Sequence, residues 1–367
     1  MQSYAFFLRC AKKSVLLQSI MEKTRTKYIC LLSAAAVVLA LAIWFGEQYY
    51  RYRWCNFVSR DGEKHGYYVR PGMSVDSVIA AIEADYALGS SLDWRLHSRY
   101  LHFDTCQVGF YRLPARIGDK ELIRRLMLGQ QTPVRLSWTH QVRTREQLSS
   151  RLSKQLLMDS VAIAERLDSA EYMAAYGLKR ETAVCLFLPD TYEVWWTLTP
   201  DQLFERMGRE YRRFWNEERL HRADSMHLTP TEVATLASIV ESETNRQQEY
   251  PLIASLYLNR LHRRMPLQAC PTVIFAVGDF SMRRVLKRHL RIESPYNTYR
   301  NIGLPPGPIR CARKTTMDAV LQAPKTDYLY MCANPDWSGT HVFSLSYSNH
   351  AATARAYQRE LNKRKIR

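Results

Sequence analysis

The sequence predicts an α+β protein carried on a single N-terminal transmembrane helix. Three observations predict it. One uncharged apolar run lies near the start, weak strand–turn–helix units follow, and a helix-rich half carries rigid proline turns. A hydrophobic content of 46% and an aromatic content of 11% exclude general disorder. The 367 residues suffice for two or three domains.

The apolar run, Tyr28 to Phe45, is long enough to cross a bilayer. Trp44, Tyr49 and Tyr50 stand where an interfacial aromatic belt would lie. Arg9, Lys12, Lys13, Lys23, Arg25 and Lys27 precede the run against Glu22 alone, so residues 1–27 are expected in the cytoplasm and the rest outside. Met21 offers a second start, since residues 1–20 add little beyond charge. Ala40-Leu41-Ala42 has the small-x-small form of a signal-peptidase site, but Ile43-Trp44-Phe45 follows at once. An uncleaved anchor is therefore expected.

The formal net charge is +17, and removing the six bases and one acid of the first 45 residues leaves +12 on the exported part. Such a surface favours polyanions, and outside a membrane anionic wall polymer or headgroups fit better than nucleic acid, while a basic surface with no specific partner reads equally well. The basic end (Arg355, Arg359, Lys363, Arg364, Lys365, Arg367) reads as a solvated helix and tail. None of the eight cysteines forms a C-x-x-C pair, and the histidines form no H-x-x-x-H, so no metal and no cofactor is expected.

Beyond the anchor, Gly66 to Arg70 reads as a strand, Pro71-Gly72 as a turn, and Ser74 as the cap of a helix carrying Val78, Ile79 and Ile82. Phe110 to Leu113 reads as a strand before a helix opened by Asp119. Val134, Leu136 and Trp138 alternate as in a strand, and Thr144 with Gln147 caps the next helix. Residues 153–183 read as helical, and Leu186 to Tyr192 as a strand leading into a fixed bend at Pro189-Asp190. Leu203 to Trp215 reads as a helix. The following helix start is strongly signed: Thr229 is the N-cap, Pro230 is N1 and Glu232 is N3. Val233, Leu236, Ala237 and Val240 then form one apolar stripe.

On that helix Glu241 and Glu243 flank the stripe on opposite sides. A carboxyl beside an apolar face is partly desolvated, which raises its pKa and suits a general acid. An isolated Glu-x-Glu reads more readily as two marginal carboxylates facing water or arginine partners. Rigid Gly303-Leu304-Pro305-Pro306-Gly307-Pro308 and the mixture of rings and polar groups in Tyr296, Asn297, Thr298 and Tyr299 suit a sugar-binding cleft. Asn259 and Gln268 add amides. Taken singly, each fits a core turn or a buried polar group equally well.

Together the segments Ser238 to Thr244, Asn259 to Leu261, Met265 to Gln268, Pro271 to Val273, Tyr296 to Tyr299 and Gly303 to Pro308 resemble the signature of the YceG-like family. Leu188 to Tyr192, Gly339, His341 and His350 match further family positions. The family comprises membrane-anchored endolytic murein transglycosylases, and the resemblance covers residues 28–362. It implies a tail (1–27), a transmembrane helix (28–45), a LysM-like α+β region (46–150), a helical connector (151–185) and a mixed α+β catalytic domain (186–367). It implies cleavage of nascent peptidoglycan between N-acetylmuramic acid and N-acetylglucosamine, leaving 1,6-anhydro ends. Glu241 is expected as general acid and then base. Glu243, Asn259, Gln268, Thr272, Tyr296, Asn297 and Tyr299 are expected on the substrate side, with Glu243 in a supporting role. Expected partners are glycan strands, the bacterial inner membrane and peptidoglycan synthases.

Two departures from the family stand out. Cys270 replaces the Asp usual before Pro-Thr-Val, and Arg310-Cys311-Ala312-Arg313 replaces an Asn-Pro-Gly run. A Cys270–Cys311 disulfide is one expectation from this pair. The alternatives are a non-catalytic wall-binding or division scaffold on the same fold, which Cys270 mildly favours and the intact Glu241 opposes, and a metal hydrolase, which the scattered histidines do not support.

Overall fold

The computed structural model describes residues 27, 32–46, 49, 56–139, 141–282 and 284–363. They fall in two compact units, residues 1–132 and 133–367.

In the first unit, residues 32–46 form helix α1, with Val37, Leu39, Trp44 and Phe45 exposed. Part of the expected span, residues 28–31, lies outside the described residues. Among the described residues no helix is long and apolar enough to cross a membrane. There follow β1 (Phe57–Ser59), β2 (His65–Val69), α2 (Val75–Asp85), β3 (Tyr86–Leu88), α3 (Ser91–Tyr100), β4 (Gly109–Leu113), β5 (Arg116–Ile117) and α4 (Asp119–Met127). They build a three-stranded β3-β1-β5 sheet and a two-stranded antiparallel β2-β4 sheet. Ser74 caps α2 as expected, accepting from the Ser77 N–H, and Gly72 turns the chain at φ +80°. Phe57, Ile82, Tyr86, Leu113 and Leu122 form the core. Asp119 opens α4 but is buried, held by the Asn56 amide (2.9 Å) and His97 Nδ1 (3.0 Å).

The second unit begins upstream of the boundary expected between residues 150 and 186. The reason is pairing. β6 (Val134–Ser137) is antiparallel to β7 (Thr191–Val194), so the segment from 133 folds with the C-terminal half. Trp138 stacks on Tyr192 at 5.2 Å beside this pair of strands. Between the strands lie α5 (Arg145–Ser153), α6 (Ser160–Asp168), α7 (Ala170–Ala174) and a 3₁₀ helix (Arg180–Leu186). The expected order of strand and bend is thus reversed. Leu186 ends a helix, and the strand follows Pro189-Asp190.

The rest is mostly helical: α8 (Pro200–Phe214), α9 (Glu217–Ser225), α10 (Pro230–Glu243), α11 (Tyr250–His262), α12 (Cys270–Val277) and α13 (Lys314–Leu321), then the β8–β9 hairpin (Tyr330–Ala333, His341–Ser344) and α14 (Tyr347–Lys363). Thr229 and Glu232 form the expected capping box on α10, with Pro230 at its first turn. One feature differs from expectation. Every residue from Val233 to Glu241 is buried, because α9, α11, α12 and α13 surround the helix. A helix wrapped on all sides has no solvent margin, so the environments of its last-turn carboxylates are set by whichever neighbours meet each side.

Candidate active site

Glu241 meets α13 and the loop before it. The Arg313 backbone N–H donates to Oε2 at 3.0 Å, the Thr316 hydroxyl to the same oxygen at 3.3 Å, and the Arg313 guanidinium Nε to Oε1. The carboxylate is wholly buried, whereas the Arg313 side chain is 30% exposed. Tyr250 accepts from the same guanidinium at 2.9 Å. These partners all donate, which places Glu241 as an acceptor locked into the packing of α10 on α13.

Glu243, two residues on, faces the other way, toward α11 and α12. It is half-buried, and the Tyr257 hydroxyl donates to Oε1 at 2.7 Å. Among the described residues nothing donates to Oε2. Burial pushes its pKa up, against the Tyr257 hydrogen bond and the charges of His341 and Arg260, which pull it down. Glu243 also ends α10, where the helix dipole disfavours an anion and no basic residue occupies the last turn. The same burial, reinforced by the Glu243 charge, holds the Tyr257 phenol far above its ordinary range. A carboxyl with one oxygen fixed, the other without a donor among the described residues and its neutral form favoured can deliver a proton.

Around it, the Cys270 thiol and the Tyr299 hydroxyl lie 3.2 Å apart at the start of α12. Burial raises the pKa of that thiol, partly countered by Tyr299, and the Glu243 charge adds to the rise. Arg260 is buried and holds the carbonyls of Leu329 and Leu267 at 2.7 Å each. His341 leans on the buried Glu249 (Nδ1 to Oε2 3.0 Å), which also takes the His341 N–H at 2.6 Å. Tyr257, Arg260 and Glu249 were not picked out as site residues from the sequence. Tyr257 gives no signal there, because only the packing of α11 on α10 brings it to Glu243.

The other expected site residues divide. Tyr299 reaches the Glu243 cluster through Cys270. Gln268 is exposed at φ +52°, and its backbone N–H holds the Thr298 carbonyl at 3.1 Å. Tyr296 is half-buried against the Phe275 ring at 4.7 Å, and burial pushes its pKa up to about 12. Asn259, Thr272 and Asn297 instead brace the loops. The Asn259 amide holds the carbonyls of Thr326 (2.7 Å) and Tyr328 (3.0 Å). Thr272 and Asn297 are fully buried, bonded to the Ala269 carbonyl and to the carbonyls of Leu290 and Ile292. Their polar groups satisfy backbone that cannot satisfy itself, so they are unavailable to a ligand.

The proline run is also split. Gly303 to Pro306 line a cavity of about 920 Å³ at the other end of α10, beside Thr229 and Tyr211, roughly 20 Å from Glu243 along the helix. Only Ile309 to Arg313 run alongside the carboxylate end. Gly307 lies so close to the chain that an added Cβ would sit 2.1 Å from the Glu181 carbonyl oxygen. Cys270 and Cys311 are separate free thiols, and the expected disulfide does not form. Among the described residues no three His, Cys, Asp or Glu side chains are grouped to hold a metal ion.

The fold and this carboxyl define an α+β protein with one candidate acid set among tyrosines, a thiol and an arginine. The chain belongs to the YceG-like family, whose sequence model matches residues 67–356. It is 43% identical over 123 residues to an endolytic murein transglycosylase of Bacillus subtilis, covering 34% of this chain and 33% of that protein. It is 24% identical over 308 residues to an endolytic murein transglycosylase of Streptococcus pneumoniae, covering 72% of this chain and 53% of that protein. The chain therefore spans between a third and about half the length of these curated relatives. A crystal structure of a YceG-like protein of Listeria monocytogenes aligns with a TM-score of 0.53 at 24% identity, over 79% of this chain and 98% of that one. That likeness is one of fold.

Proposed function

We propose that this chain is an endolytic lytic transglycosylase that cuts nascent peptidoglycan glycan strands, with Glu243 rather than Glu241 as its acid. Family membership and the names of its relatives support the reaction class. The observation that carries the assignment is Glu243 itself, tethered by Tyr257 through one oxygen, without a donor on the other among the described residues, and with its neutral form favoured by burial.

The chemistry needs one carboxyl because the substrate supplies its own nucleophile. Glu243 protonates the glycosidic oxygen between muramic acid and glucosamine, and the bond from that oxygen to the anomeric carbon breaks. The 6-hydroxyl of the muramic residue bonds to the same carbon, and the Glu243 carboxylate takes the hydroxyl proton. The ring closes as a 1,6-anhydro sugar, no water is consumed, and the acid is regenerated. A hydrolase would need a second carboxyl to activate water or attack the sugar. Tyr257 orients the acid, and Tyr299 and Cys270 offer polar contacts beside it.

The anchor belongs to the same reading. Apolar, exposed α1 and the basic residues before it support a single-pass helix in the bacterial inner membrane, with the following units outside, near glycan strands and their synthases. The α+β unit before the catalytic one fits a LysM-like wall-contacting module.

The test is digestion of purified glycan strands by the full chain and by Glu243→Gln and Glu241→Gln, with product ends read by mass. Anhydro ends that vanish in Glu243→Gln and persist in folded Glu241→Gln are expected. Reducing ends from the wild type would mean hydrolysis, and an active Glu243→Gln would remove this residue from the mechanism.

A further inference from the structure

On the Glu241 side of α10 lies a cluster of cations that the proposed reaction does not use. Arg310 is only 8% exposed, yet its Nε has no hydrogen-bond partner. Among the described residues its guanidinium forms no ion pair. Arg143, half-buried, likewise forms none there, and its guanidinium sits over the Phe280 ring at 4.9 Å. The Cys311 N–H donates to the Val142 carbonyl at 2.8 Å, so the two arginine-bearing segments are clipped side by side. Glu241, the nearby carboxylate, is engaged by Arg313 and Thr316. Arg313 binds the committed Glu241, Arg310 lies within electrostatic reach of it, and Arg143 lies within reach of Arg310. A buried cation without a counterion is costly, and an anion arriving from outside would relieve that cost. Planar guanidinium pairs suit a carboxylate, which accepts two parallel hydrogen bonds.

We propose that Arg143 and Arg310 form a subsite for a carboxylate carried by the glycan substrate. The inference rests on the function proposed above. Peptidoglycan offers two sources of this chemistry: the lactyl carboxylate of a muramic residue lacking its peptide, and the carboxylates of the peptide where it is present.

The experiment uses the full chain in detergent with Glu243→Gln as background, so that binding is read without turnover. Three ligands are titrated: peptide-free glycan strands, peptide-bearing strands, and N-acetylglucosamine oligomers, which have no carboxylate. Arg143→Gln and Arg310→Met are expected to weaken one or both carboxylate-bearing ligands on the order of tenfold each, the usual effect of losing a hydrogen bond to a charged group. Binding of the carboxylate-free oligomer is expected to be unchanged. Loss confined to peptide-free strands identifies the lactyl group, and loss confined to peptide-bearing strands identifies the peptide. Arg310→Met is also expected to raise the Tm of the ligand-free protein, because it removes an unpaired buried charge. A purely structural Arg310 would lower the Tm and weaken all three ligands alike, and that result overturns the subsite. Unchanged binding in both variants overturns it too. If the Glu243→Gln background binds none of the three ligands, the proposed function falls together with the subsite.

Discussion

Glu241 and Glu243 share one turn of one helix and live in opposite chemistry. Glu241 is surrounded by donors from a loop and a helix some seventy residues away, and its charge is part of how α10 is held to α13. Glu243 is partly desolvated, takes a single hydrogen bond from the Tyr257 phenol on one oxygen, and lies within electrostatic reach of the Cys270 thiol. Two carboxylates whose surroundings pull them apart are what a proton-transfer site needs. In the proposed function the division is between a structural acid and a chemical one. Neither side chain carries that difference in its own type or in its place along the chain.

The largest expected effect separates the two outright. Glu243→Gln should cut the rate of anhydro-product formation by a factor on the order of 10² to 10⁴, the span of general acid–base catalysis, with little change in Tm. Glu241→Gln should do the reverse. Removing the buried partner of Arg313 should cost about 3 kcal/mol of unfolding free energy, the low end for a buried pair, since Arg313 is partly solvated. Denaturant unfolding and product analysis on the same preparations would check both. A Glu241→Gln protein that is stable and inactive would invert the assignment.

Gly307→Ala comes next and tests the packing beside the Glu241 end. The new Cβ would meet backbone at 2.1 Å, where nothing flexible can give way. Destabilisation of about 1 to 3 kcal/mol is expected from such overpacking, with any activity loss following stability alone.

The two carboxylates also show where a sequence stops being readable. Helix starts were legible because a cap is a local contract. Ser74, Thr144 and Thr229 each accept from an N–H three residues on, and all three occur as expected. The family motifs pointed to α10 and to the loops packed around it. The roles of individual residues were not legible, since Glu243 depends on Tyr257 of α11 and Glu241 on Arg313 of a distant loop. The apolar stripe on α10 suggested a helix with a wet margin, whereas the whole barrel of the helix is covered. Polar motif residues misled for a related reason. Asn259, Thr272 and Asn297 carry the hydrogen-bonding groups a sugar would need, but loop backbone claims them first.

A smaller effect concerns pH. The folded-state pKa of Glu243 lies above its ordinary 4.5, so the folded protein holds this proton more tightly than the unfolded chain. The stability contributed by that proton is fully present below about 4.5 and is lost as pH rises through the raised value. Activity should fall on the same limb, because the acid must begin protonated. Unfolding free energies of wild type and Glu243→Gln should therefore diverge with rising pH, in favour of the variant. Parallel curves would show that Glu243 carries no shifted proton.

Cys270 gives the finest probe of the chemical side. It stands beside Tyr299 and within electrostatic reach of Glu243, at the position where the family resemblance leads one to expect Asp. A thiol whose own pKa burial has raised is neutral near pH 7, so it adds no charge to the site. Cys270→Asp would add a carboxylate near the acid, and like charges disfavour joint ionisation. The basic limb of the activity profile should then move up by on the order of one pH unit, with the plateau rate nearly unchanged. Cys270→Ser, which adds no charge, should leave that limb in place. If Asp and Ser shift it equally, the residue at 270 acts on Glu243 through packing and not through its charge.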